Sequence, residues 1–232
     1  MSNMDKLAKV NIKEPEERDL PQVLSPDQAA QIMALTEDHE DQELLFKEID
    51  LFINVKDRLI YLESDIDIYT PAYIRRRIDL ISNLTNDWKS PITLQICSYG
   101  GDVYAGLAIC DVIDCAPMPI NTVGNGPVMS AAGFVLISGT GVRAITANSY
   151  IMVHDIFGMI QGQSKDVVVE TDHWKQLQEI CYSLVASKTK KGKSYWKGKS
   201  RHSFYVGANE AIKLGLIDEV LTKWTINPKN NV

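Results

Sequence analysis

Cysteine is scarce, with four in 232 residues, so a disulfide scaffold is excluded. Cys97, Cys110, Cys115 and Cys181 lack metal-ligand spacing, which predicts buried, reduced thiols and no metal site. Basic residues are in deficit, 24 Lys and Arg against 30 Asp and Glu, and a nucleic-acid-binding surface is not expected from that balance. Long apolar runs are missing. The longest, residues 128–137, contains Ser130 and Gly133 and is far too short to span a bilayer. The first twenty residues hold no apolar core of a secretory signal, which predicts a cytoplasmic protein. No fixed-period repeat or low-complexity tract occurs.

What the chain does have suits one large folded domain: 45% hydrophobic residues, 8% aromatics and 23% charged residues. The net charge of −6 is unevenly placed, because residues 1–46 hold 4 basic and 11 acidic side chains. The rest is therefore nearly neutral. Residues 1–20 read as a mobile, polar arm. Ser25-Pro26-Asp27-Gln28 then has the order of a helix start: a capping hydroxyl, Pro in the first turn, Gln three residues on. Ala29, Ile32, Met33 and Leu35 supply an apolar face, and a second helical piece runs through Leu44, Leu45 and Phe46. Three roles stay open for this arm: a removable propeptide, a docking element or a solvated extension.

From Asp50 strand and helix alternate. Residues 51–55 and 58–62 are short strand-like runs, and 73–84 has helical spacing in Ile74, Ile78, Ile81 and Leu84. A strand over 92–97 ends in Ser98-Tyr99-Gly100-Gly101 and leads to a helix over 103–115. A strand over 120–123 is followed by a glycine-containing turn and an apolar, small-residue helix over 130–137. Strands over 143–146 and 150–153, a long helix over 167–186 capped by Asp166, and a short helix over 210–214 complete the pattern. This alternation predicts an α/β fold with mostly parallel pairing.

Three elements can carry chemistry. Ser130 lies in Gly126-Pro127-Val128-Met129-Ser130-Ala131-Ala132-Gly133, where a turn delivers the chain into a helix whose first N–H groups are unpaired. A serine there can act as a nucleophile beside oxyanion donors, or merely cap the helix. Gly100 and Gly101 sit at the C-terminal end of a strand, where the missing side chains let backbone N–H groups approach a ligand. His154 closes another strand, at the end where α/β folds place ligand clefts. His39, His173 and His202 have no partner at telling spacing and receive no role.

Taken together these elements resemble one family, the ClpP proteolytic subunits of the Clp protease, from about Glu48 to Leu221. Ile96-Cys97-Ser98-Tyr99-Gly100-Gly101 is similar to the family's I-N-S-P-G-G turn, and Gly126-x-x-x-Ser130 to its G-x-A-A-S. Phe134 and Gly139 fall where that helix has them. Met152-Val153-His154 resembles M-I-H, Gly162-Gln163-Ser164-Lys165-Asp166 resembles G-Q-A-T-D, and Glu210-Ala211 with Gly215-Leu216-Ile217-Asp218 resembles E-A-x-x-Y-G-L-x-D. The resemblance implies a ClpP/crotonase-like fold of repeated strand-strand-helix units, with a strand-helix handle over 161–186. It divides the chain into an acidic arm (1–46), a peptidase domain (47–224) and a tail (225–232). It further implies a serine endopeptidase working on unfolded polypeptides without cofactor or metal. Ser130 would be the nucleophile and His154 the base, with backbone N–H groups of Gly100, Gly101 and Ala131 as oxyanion donors. Homo-oligomeric rings, heptameric or doubly heptameric, and an AAA+ unfoldase partner also follow.

The departures from the family pattern are specific. One residue is missing between Ser130 and His154, after Gly139, and Pro127-Val128-Met129 is less regular than the family's small residues. Where the family supplies its triad Asp, this chain reads Gly198-Lys199-Ser200-Arg201-His202-Ser203, with Ser203 at the Asp position. Asp155, Asp172 and Asp218 are the acids to inspect. Asp155, next to His154, is expected to point away from Nδ1, and none of the three is assigned the role. A Ser–Lys dyad through Lys199 competes with a solvated basic loop, since seven Lys and Arg fall between Lys188 and Arg201. Loss of the acid keeps three alternatives in view: a non-catalytic subunit of a mixed ring, a phage head-maturation peptidase and a crotonase-like acyl-CoA enzyme.

Overall fold

The computed structural model describes residues 47–223. The helix start at Ser25, the piece ending at Phe46 and the tail over 225–232 lie outside these residues.

The described chain forms a central, mostly parallel sheet flanked by helices. Its elements are β1 (Ile53–Asn54), β2 (Leu59–Leu62), α1 (Thr70–Leu84), β3 (Ile92–Ser98), α2 (Val103–Asp114), β4 (Ile120–Met129) and α3 (Ala131–Ile137). Then come β5 (Arg143–Thr146), β6 (Tyr150–Val153), α4 (Ser164–Lys188), α5 (Lys193–Lys199), β7 (Phe204–Gly207), α6 (Ala208–Leu214) and β8 (Glu219–Leu221). Strands are ordered β1-β2-β3-β4-β5-β8, with β6 and β7 branching from β4. Pairing is parallel except for β1 with β2 and β6 with β7. No helix among the described residues is long and apolar enough to cross a membrane.

The core follows from alternation and from one all-apolar helix. β3 buries every second residue, including Ile92, Leu94, Ile96 and Ser98. Every residue of α3 is buried, which explains its small, uncharged sequence. Arg143 fastens β5 to the C-terminal segment. Its guanidinium donates to Asp218 at 2.6 Å and to the carbonyls of Lys188 and Gly215 at 2.8 and 3.1 Å.

The largest difference from the sequence expectation is β4. The glycine-containing turn expected after Val123 is a continuation of the strand to Met129. The strand bends and changes partner: Thr122–Gly124 pair with β5, and Pro127–Met129 pair with β6. Gly124 permits the bend, since a Cβ there would lie 2.6 Å from Val128 Cγ2 and 2.9 Å from Ile145 Cγ2. Other differences are smaller. Helix α1 begins at Thr70 with Pro71 in its first turn. Helix α4 begins at Ser164, with Gln163 at the position before it, so Asp166 sits inside the first turn instead of capping it. The handle contains the helix without a strand, because residues 154–163 join no strand ladder among the described residues. The basic loop contains α5, anchored by fully buried Trp196, whose Nε1 donates to Thr189 Oγ1 at 2.9 Å. Of the four thiols only Cys110 and Cys181 are buried. Burial pushes their pKa values up to about 12 and about 11. Cys97 is half-buried, and Cys115, at the C-terminal cap of α2, is exposed.

Candidate active site

The site is built where β4 passes into α3. Met129 is the last residue of β4, Ala131 the first of α3, and Ser130 between them has φ 54° and ψ −124°. A residue with a side chain is strained there, and such strain persists only where the surroundings hold it. Two bonds do so: Ser130 N–H donates to Met152 O at 2.8 Å, and Gly133 N–H donates to Ser130 O at 2.9 Å. This sharp strand-to-helix turn lifts the hydroxyl out of the core, a geometry comparable to the nucleophile elbow of α/β hydrolases.

The β4–β6 register brings the imidazole to it. Met129 pairs with Met152, so His154, two residues on and just past the end of β6, reaches the Ser130 hydroxyl. His154 Nε2 and Ser130 Oγ are 2.7 Å apart. Burial holds His154 below its ordinary pKa, partly opposed by the Asp155 charge. The ring is therefore neutral near pH 7, the state that accepts a proton.

The glycine turn packs against the same elbow. A Cβ on Gly100 would lie 2.6 Å from Met129 O, 2.8 Å from Ser130 Cβ and 3.0 Å from Ala131 N. Gly100 and Gly101 have φ 96° and 146°, which only glycine adopts without strain. The three amides expected to act together differ in availability. Gly100 N–H donates to Ser98 Oγ at 3.1 Å and is occupied. Ile66 N–H donates to Gly100 O, and Asp102 N–H to Ile66 O, both at 2.8 Å. Gly101 N–H, between these bonds, has no acceptor among the described residues. Ala131 N–H, first in its helix, has no carbonyl one turn behind it.

The Ser130–His154 pair opens onto a cleft of about 380 Å³. Its apolar wall includes Phe134, Ile156, Trp174 and Leu177. Tyr104 OH lies 2.6 Å from His173 Nε2, joining α2 to α4 at the rim. His173 had no sequence-level partner, since Tyr104 is 69 residues away.

No acid among the described residues completes a triad. Among the described residues nothing bonds His154 Nδ1. Ser203 is exposed and makes no hydrogen bond to His154, although it precedes Phe204, the register partner of Val153. Asp172 is bonded to Lys175 and Asp218 to Arg143. Asp155 accepts from Tyr182 OH at 2.6 Å. Lys199 is also turned elsewhere, its Nζ 4.9 Å from the Phe204 ring centre and 5.8 Å from that of Tyr195. No cluster of His, Cys, Asp and Glu among the described residues is arranged to hold a metal ion.

A glycine turn, a strained serine and an imidazole meet at the C-terminal ends of β3, β4 and β6 in a mostly parallel α/β sheet. The Clp protease family model matches residues 40–224, and the chain belongs to that family. The "ATP-dependent Clp protease proteolytic subunit" of Bacteroides fragilis is 31% identical over 188 residues, covering 79% of this chain and 89% of the relative. The protein of the same description from Porphyromonas gingivalis is 28% identical over 186 residues, covering 79% and 83%. "ATP-dependent Clp protease proteolytic subunit 1" of Prochlorococcus marinus is 32% identical over 170 residues, covering 73% and 86%.

Proposed function

We propose that this chain is a serine endopeptidase subunit in which Ser130 and His154 form a two-residue catalytic centre. The observation carrying this reading is the 2.7 Å contact between Nε2 and Oγ at a strained strand-to-helix turn. In the reaction, Ser130 Oγ attacks the peptide carbonyl and its proton passes to Nε2. The carbonyl oxygen becomes an oxyanion and takes hydrogen bonds from Gly101 and Ala131 N–H, the two amides free to give them. His154 returns the proton to the leaving amine. Water, deprotonated by the same imidazole, then releases the acyl group from Ser130.

Substrates are unfolded polypeptides, admitted as extended chains to the apolar cleft. The relatives' names carry both "ATP-dependent" and "subunit". They support a role for this chain as one subunit of an ATP-dependent protease, and the family resemblance implies rings served by a separate ATP-driven unfoldase. The near-neutral body and the absence of a spanning helix among the described residues are in keeping with a cytoplasmic setting.

A second reading is favoured by the unbonded Nδ1: a non-catalytic subunit beside active relatives in a mixed ring. Isosteric loss of a triad Asp costs roughly 10⁴-fold in rate. Incubation of the assembled chain with a fluorophosphonate separates the two. Labelling of Ser130 that is lost in Ser130→Ala supports the peptidase. An assembled, folded chain that takes no label overturns it in favour of the second reading.

A further inference from the structure

Among the described residues no acid is hydrogen-bonded to His154, yet a proton arriving on it still has to be stabilised. Two carboxylates, Asp102 and Asp155, line the cleft, and Asp102, like Glu179, Asp172 and Asp218 outside that lining, is committed to a partner. Asp102 accepts from Ala105 N–H at 2.8 Å and caps α2. Glu179 is paired with Lys193 and Lys197, Asp172 with Lys175, and Asp218 with Arg143. Asp155 differs. It lines the same cleft as Ser130 and His154, is half-buried, and has no cationic partner among the described residues.

Its position is fixed on two sides. Asp155 N–H donates to Ser200 O at 2.8 Å, and its Oδ1 accepts from Tyr182 OH at 2.6 Å. The following residue is fixed as well, since Ile156 N–H donates to Gln178 Oε1 at 2.6 Å. Tyr182 is buried within α4, and burial together with the Asp155 contact pushes its phenol up to about 12, so it stays a neutral donor. The carboxylate thus has a neutral donor against it and no cation paired with it among the described residues.

We propose that the Asp155 carboxylate, pinned by Tyr182 and Ser200, supplies through space the negative charge that the missing triad acid would supply by contact. Asp155 is then a positioning residue. The proton moves from Ser130 Oγ to His154 Nε2, no bond to Asp155 forms or breaks, and the imidazolium is stabilised by the adjacent charge. The inference rests on the Ser130–His154 reading above. That Asp155 raises the proton affinity of His154 against the effect of burial is in line with it. The other charged groups to weigh come from the last residue of α5 and the segment after it. Lys199 rests on aromatic rings, and Arg201 and His202 are exposed, so solvent screens them more than it screens Asp155.

The test uses the full-length assembled chain. Asp155→Asn keeps an oxygen for Tyr182 and removes only the charge. With ¹³C-labelled histidine, NMR is expected to show His154 titrating about 0.5–1 pH unit lower in Asp155→Asn than in the parent. The acid limb of kcat/KM on a fluorogenic peptide is expected to move the same way, and kcat to fall roughly five- to tenfold with KM unchanged. A role confined to structure would move neither titration. Asp155→Gln repeats the measurement if the first variant does not assemble. A His154 titration unchanged in a folded, uncharged variant overturns the inference. A parent enzyme that neither labels nor hydrolyses overturns the peptidase reading instead, and the NMR titration tells the two failures apart.

Discussion

Ser130 Oγ and His154 Nε2 meet at 2.7 Å because β4 and β6 run parallel with Met129 beside Met152. The contact is a consequence of register. A slip by one residue would turn the imidazole to the other face of the sheet. It also depends on the bend in β4, which lets one strand hold β5 with its first half and β6 with its second.

The strain at Ser130 separates activity from stability. Ser130→Ala is expected to abolish peptide hydrolysis and keep the strained φ of 54°. Ser130→Gly is expected to be equally inactive but more stable than the Ala variant by about 1 kcal/mol, since relief of strain outweighs glycine's added chain entropy. Thermal or chemical unfolding of the two inactive variants, measured in parallel, checks the order.

Acid pH should silence the enzyme later than an ordinary histidine would. The base acts only when neutral, and burial lowers the His154 pKa below its usual 6.5. Activity is therefore expected to exceed half its plateau at pH 6.5 and to fall to half only below that value. A pH profile of kcat/KM reads this directly, and a midpoint above 6.5 would contradict the buried, neutral imidazole. The sign is the same for stability. The folded state binds this proton less readily than the unfolded chain, so His154 weakens the fold as pH falls through 6.5.

The glycine turn should tolerate nothing larger. Gly101→Ala drives a Cβ into the backbone of Ile66, and Gly100→Ala sets one 2.6 Å from Met129 O. Each is expected to cost roughly 2–4 kcal/mol and to remove activity by displacing the oxyanion donors. Gly162→Ala, where a Cβ meets nothing within 4 Å, is the control and should change stability by less than about 0.5 kcal/mol.

Two substitutions address the missing acid. Lys199→Ala removes a cation resting on the Tyr195 and Phe204 rings, and activity is expected to stay the same or rise. A loss would revive the Ser–Lys alternative. Ser203→Asp places a carboxylate at the end of the β6–β7 ladder where His154 also lies. It is expected to raise kcat by at least about tenfold if the new carboxylate bonds Nδ1. No change would show that this position does not face the ring.

The sequence carried the local chemistry. Alternating apolar residues identified β3, helical spacing identified the body of α1 and α2, and the motifs around Gly100, Ser130 and His154 pointed to one site. These signals are local, set by side-chain periodicity and by the backbone conformations that glycine allows. Long-range facts were not legible. The continuation of β4 reads as a turn because its glycines are turn formers until a second partner strand is known. Helix α5 reads as solvated lysine, since one buried tryptophan among basic residues has no period. The Tyr104–His173 contact joins residues with no common motif. Which amide of the glycine turn stays free depended on where Ser98 and Ile66 spend their hydrogen bonds, and which carboxylates are already paired depended on helix packing. Residue type and spacing determine which groups are present. Only the folded chain decides which of them still has a proton, a lone pair or a charge to offer.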